Sequence, residues 1–119
     1  MGHYCSHLIA VATRRRYGME NFKERVTAII QGLQQNYDGI AALDDPFACM
    51  SRELNGNKGG YIVFAGVFNY WGWEEAAEFS KKLSKEFETR VLHTFWNNET
   101  EESKFEVFFD GKSISEMRE

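Results

Sequence analysis

Five residues near the amino terminus, His3-Tyr4-Cys5-Ser6-His7, carry the sharpest chemical potential in the chain. On a strand, alternate residues share a face, so His3, Cys5 and His7 point the same way. Two imidazoles and a thiolate are good ligands for zinc or copper. His93, on a later strand, is placed to complete the set. The plainer account makes Cys5 a small core residue, and no second Cys/His cluster accompanies it. Metal binding through His3, Cys5 and His7 therefore stands as an alternative function, with no metal site and no cofactor assigned.

Arg14-Arg15-Arg16 falls in a strand-to-helix loop. Guanidinium groups bind phosphate and carboxylate through two parallel hydrogen bonds, and the helix start beyond them adds a weak preference for anions. No glycine-rich phosphate loop accompanies the run, so a solvated loop or an acidic partner is the reading. Lys58-Gly59-Gly60-Tyr61-Ile62-Val63-Phe64 has some of the character of the aromatic strand in RNA-recognition modules, where exposed rings stack on bases. Core packing accounts better for Phe64 and Phe68. Phe68-Asn69-Tyr70-Trp71-Gly72-Trp73 places rings at a strand-to-helix turn. Tyr, Trp and Arg dominate interface hot spots, so Asn69, Tyr70 and Trp71 join Arg14, Arg15 and Arg16 as candidate partner-binding residues. Trp73 is expected in the core. The three histidines have no nucleophile at motif spacing, and no catalytic residue is assigned.

The elements that carry these residues follow from hydrophobic period. Residues 4–12 read as a strand. Phe22, Val26, Ile29, Ile30 and Leu33 recur at helical spacing, Tyr37 extends the stripe, and Asp38-Gly39 ends it. Asn21 with Glu24 has the form of a capping box. Gly32 inside this helix is expected to mark a close approach to the sheet. Residues 40–43 read as a short strand, and 46–54 as a short helix with Phe47, Met50 and Leu54 on one face. Residues 55–60, NGNKGG, form a loop. Residues 61–70 are apolar at both parities, the mark of a strand covered on both sides. A second helix spans 73–88, with Trp73, Ala76, Ala77, Ser80, Leu83 and Phe87 inward. Strands follow at 90–97 and 104–110, the latter an edge strand with Phe105, Val107 and Phe109 inward. Residues 113–119 are expected to be loosely held.

The order β-α-β-β-α-β-β, with 40–43 as a strand, is the split βαβ plan of ferredoxin-like domains with one extra hairpin strand. The expected fold is therefore α+β: a ferredoxin-like antiparallel sheet with two main helices on one face, residues 1–119 forming one domain. Such a sheet leaves its other face open. The second parity of 61–70, together with Leu92 and Trp96 opposing Val91 and Phe95, would then be bare. Monomers rarely leave such patches uncovered, so a homodimer or a partner is expected to close it.

Of the 119 residues, 10 are Phe, 5 Tyr and 3 Trp, so rings must supply much of the core. No stretch reaches the roughly 18–20 apolar residues that span a bilayer, and no basic-then-apolar leader opens the chain. A cytoplasmic protein with free Cys5 and Cys49 is expected. The formal charge is −4, which weighs against unspecific nucleic-acid binding. The start is basic and the end, from Glu99 to Glu119, acidic.

Tyr4-Cys5-Ser6 opening an apolar strand resembles the start of a family of small ferredoxin-like proteins from phages and conjugative plasmids. Phe68–Trp73, Leu83-Ser84-Lys85-Glu86-Phe87, Glu99–Glu102 and Phe105–Gly111 resemble its later half. His7 stands where asparagine is usual. The family has no established activity, so the resemblance implies the fold and a mobile-element origin and no catalytic residues. With the aromatic content, it orders the functions: first a non-enzymatic protein-binding module, its specific form a phage-encoded inhibitor of a host defence system (anti-CRISPR or similar) acting on a host protein; then a single-stranded nucleic-acid-binding domain; then the metal-binding protein.

Overall fold

The computed structural model describes residues 5–13, 20–35, 50–54, 60–67 and 72–114. Strand β1 is Cys5–Thr13, helix α1 Phe22–Gln34, β2 Met50–Leu54 and β3 Gly60–Val67. Helix α2 is Trp73–Glu86, followed by β4 Val91–Asn97, β5 Ser103–Phe109 and the two-residue β6 Lys112–Ser113. The strands form a six-stranded antiparallel sheet in the order β2-β3-β1-β4-β5-β6.

One face of this sheet holds the core. Ile9 and Val11 of β1, Ile62 and Phe64 of β3 and Val91 of β4 pack against Val26, Ile30 and Leu33 of α1 and Ala76, Phe79 and Leu83 of α2. Rings tie the helices to the sheet and to each other. Phe79 stands edge-on to Phe64 at 5.6 Å, and Phe22 lies 6.3 Å from Phe64 and 4.8 Å from Phe87. The α1 stripe is as the spacing predicts, with Phe22 and Ile29 at its margin. In α2, Phe79 is a core residue that the helical stripe left out.

Several expectations are corrected. Residues 50–54 are strand, paired with β3 from Met50↔Phe64 to Leu54↔Gly60. The edge of β3 offers ladder bonds that a short helix would forgo. Gly32 has nothing within 4 Å of the position of an added Cβ, so it approaches no neighbour. Asn21 sits in the left-handed region at φ 56 and makes no side-chain cap. The cap is found instead on α2, where Gly72 N–H donates to the Glu75 carboxylate at 3.2 Å. In β5 the buried residue is Phe108, paired with Val91, while Phe105 points to the other face. Ser113 is held in β6 by a two-residue turn, Asp110-Gly111, whose φ values of 53 and 77 are those of the hairpin-favouring type I′. The expected elements at 40–43 and 46–49 lie outside the described residues.

Candidate functional site

His7 lies on β1 and His93 on β4, both on the helix-covered face and both buried. Their rings meet at 3.0 Å between His7 Nδ1 and His93 Nε2, one imidazole donating to the other. Trp73, the first residue of α2, stacks on His93 at 4.6 Å and 10°. Phe95 flanks both His7, at 5.3 Å, and Trp73, at 6.0 Å. The Lys104 ammonium lies 5.4 Å over the Trp73 ring and 3.4 Å from the Glu102 carboxylate. Burial, and secondarily His7, push the His93 pKa down from 6.5 to about 3, so His93 is neutral. Its Nδ1 has no hydrogen-bond partner among the described residues.

This arrangement bears on the metal reading. His7 and His93 direct a nitrogen at each other. The register sets Cys5 against Asn97 and Ile9 against His93. Cys5 is therefore four residues along the strand from the position paired with His93, about 13 Å of backbone. Among the described residues, no three His, Cys, Asp or Glu converge as a metal site. His3 lies outside the described residues, as do Arg14, Arg15, Arg16, Asn69, Tyr70 and Trp71. Trp73, expected in the core, is half-buried over the histidine pair.

The opposite face of the sheet carries no helix among the described residues. Register places its residues in four rows: Ser6, Trp96 and Ser103; Ala65, Leu8, Thr94 and Phe105; Val63, Ala10, Leu92 and Val107; Tyr61, Ala12, Arg90 and Phe109. Leu8 is 38% exposed, Trp96 43%, Tyr61 54% and Phe105 67%. Register adds Ser51 and Glu53 of β2 beside Val63 and Tyr61, so the charged positions of these rows, Arg90 and Glu53, both lie in the Tyr61 row at one rim. Lys112, opposite Phe109, is a second rim cation. At the other end the turn after β4 displays Glu99, Glu101 and Glu102, all exposed. That turn is built by Asn97, whose side-chain oxygen accepts from Glu99 N–H at 2.9 Å and Thr100 N–H at 3.3 Å.

A third feature is a groove of about 760 Å³ on the outer side of the helices, floored by Ala28, Ile29 and Gly32. Arg25 and Glu86 bridge across it at 2.9 Å.

Of the exposed rings, Tyr61 and Phe105 were legible only as members of apolar strands. What separates them from core residues is parity relative to the helices, which no local pattern gives. No protein family, curated protein or solved structure matches the chain. No helix among the described residues is long and apolar enough to cross a membrane.

Proposed function

We propose that the chain is a non-enzymatic protein-binding module of ferredoxin-like plan whose working surface is the sheet face that carries no helix among the described residues. The order β2-β3-β1-β4, with α1 and α2 against one face, supports that plan, and β5 and β6 extend it. The observation that carries the function is the exposure of Leu8, Tyr61, Trp96 and Phe105 on a face with no interior charge. Apolar area returns about 25 cal/mol per Å² when removed from water, so such a face favours an apolar protein surface. Blocking a host protein, as an inhibitor of a defence system, is the form that the resemblance to phage proteins lends to this reading. Capture from host lysate tests it with paired baits. A specific protein held by the wild type and lost by Phe105→Lys, yet retained by the groove variant Lys82→Glu, is the expected result. A bait that retains nothing specific, and a face that binds no hydrophobic dye, would sink it.

Exposed Tyr61 and half-buried Phe109 support a second reading, single-stranded nucleic acid stacked on these two rings, with phosphates on Arg90 and Lys112. Affinity would then fall steeply with salt. The interior of the face supplies no cation, so protein binding stands first.

A further inference from the structure

We propose that His7 and His93 form a two-coordinate site for a soft monovalent cation, Cu(I) or Ag(I), held between His7 Nδ1 and His93 Nε2 inside the core.

Geometry carries the site. The two nitrogens lie 3.0 Å apart and the ring centroids 5.2 Å, with the planes 21° from parallel. That centroid separation is close to the largest that two five-membered rings can have with nitrogens at this distance. Both nitrogens therefore lie near the line between the rings, and their in-plane bonding directions run along it. A linear nitrogen–metal–nitrogen unit needs this alignment. Metal–imidazole bonds are about 2 Å long, so the nitrogens must part to about 4 Å. Trp73 lies on the face of His93, out of that line, so the rings can part without displacing it.

The protons also balance. Two neutral imidazoles carry two N–H groups, one of which fills the gap between the rings in the hydrogen bond. With a cation in the gap, both N–H groups sit on the far nitrogens, His7 Nε2 and His93 Nδ1, and no proton leaves the protein. His93, neutral in the core, is already in the metal-binding form. Without a metal it uses only Nε2, since Nδ1 is buried with no hydrogen-bond partner among the described residues. An imidazole buried in that way costs free energy that a phenyl ring would not, and a metal bond at Nε2 accounts for it.

Coordination number selects the ion. Among the described residues no third His, Cys, Asp or Glu joins the pair. His7 is 3% exposed and His93 0%, so solvent does not complete a larger shell. Structural Zn(II) takes four ligands, and Ca(II) and Mg(II) take six or more oxygens. Two buried nitrogens leave each of these short. Imidazole suits copper, and the filled d shell of Cu(I) or Ag(I) accepts two ligands in a line. A single charge is also the least that a metal cation brings into an apolar site. Trp73, 4.6 Å from His93, and Phe95, 5.3 Å from His7, line the site with ring electron density, which tolerates a cation better than alkyl groups do. The Lys104 ammonium lies over the Trp73 ring and is balanced by Glu102 at 3.4 Å.

Anaerobic titration with Cu(I) against a coloured Cu(I) chelator tests the proposal. It is run on the wild type and on the full chain with Cys5→Ser and Cys49→Ser, because free thiolates bind the same ions. The thiol-free chain is expected to take up one equivalent, and His93→Phe in that background to take up none while keeping its circular dichroism. Ag(I) locates the site without a histidine variant: nitrogen NMR of the thiol-free chain is expected to show coupling to silver at His7 Nδ1 and His93 Nε2. Equimolar Zn(II) is expected to leave both rings unshifted. Uptake that disappears with the cysteines, equal uptake by His93→Phe, or silver coupling absent from either nitrogen overturns the site. Zn(II) that shifts both rings overturns the selection of a two-coordinate ion.

Discussion

His7 Nδ1 and His93 Nε2 lie 3.0 Å apart across the β1–β4 pairing, so each imidazole meets its partner inside the core rather than in water. Such a bond needs at least one neutral ring. His93 is the one held neutral, pushed down to about 3 by burial first and by His7 second.

This pair makes stability depend on pH. In the unfolded chain His93 titrates near about 6.5. As the pH falls, the unfolded chain takes the proton first. The contribution of neutral His93 is therefore complete above about pH 6.5 and is lost progressively between about 6.5 and about 3. The slope is about 1.4 kcal/mol per pH unit for one such group. Urea unfolding at about pH 7 and about pH 5 brackets a range in which most carboxylates stay ionised. His93→Phe is expected to flatten the difference. Equal wild-type stability at both pH values would mean that His93 gains its proton in the folded state.

Trp73 shields the pair. Its ring lies 4.6 Å from His93 and nearly parallel to it, and forms a T-shaped pair with Phe95 at 6.0 Å. Trp73→Ala is expected to lower stability by about 3 kcal/mol. It also admits water, so the His93 pKa moves up toward its ordinary value. Trp73→Phe keeps most of the stacking and most of the shift. NMR titration of the His93 ring reads the effect directly. An unchanged titration in Trp73→Ala would show that other residues keep water out.

Sequence period located both helices, β1, β3, β4 and β5, because each has a long apolar stripe. It failed where the period was ambiguous or the partner distant. Phe47, Met50 and Leu54 are spaced as on a helix, yet 50–54 pairs with β3, since strand formation there depends on the neighbouring strand. Phe105, Val107 and Phe109 alternate cleanly, but the next residue in from the edge, Phe108, is the one beneath α2. Alternation names two faces without saying which one the helices cover. The His7–His93 contact joins residues at opposite ends of the chain and has no local signal. Asp110-Gly111, which the reading of 104–110 as strand passed over, forms the hairpin turn that holds Ser113 in β6.

Two glycines should respond in opposite directions. Gly32 lies in α1 with open space around an added Cβ. Gly32→Ala is expected to stabilise by up to about 1 kcal/mol through helix propensity and a less free unfolded chain. Gly111 has φ +77, and a Cβ there would meet Lys85 only at an ordinary 3.5 Å. Gly111→Ala is therefore expected to destabilise by about 1 kcal/mol, from backbone conformation rather than collision. Thermal melts of the two variants should move apart. A stabilised Gly111→Ala would refute the turn assigned to 110–111.

Arg25 anchors α1 to the end of α2 by more than charge. Its guanidinium donates to the Glu86 carboxylate at 2.9 Å and to the Glu86 carbonyl at 2.8 Å, and lies 4.3 Å over the Phe87 ring. The carboxylate contact is partly exposed and screened, worth about 0.2–1 kcal/mol. The carbonyl bond and the ring contact survive its loss. Glu86→Gln should then shift stability by less than about 1 kcal/mol. Arg25→Ala should cost more, about 2 kcal/mol, because it strips a charge-assisted hydrogen bond and the cover over Phe87. Added salt should narrow the Glu86→Gln difference and leave most of the Arg25→Ala difference in place. Urea melts of both variants at low and high salt measure this. Equal losses that vanish together in salt would make the contact a simple ion pair and remove Phe87 from the account.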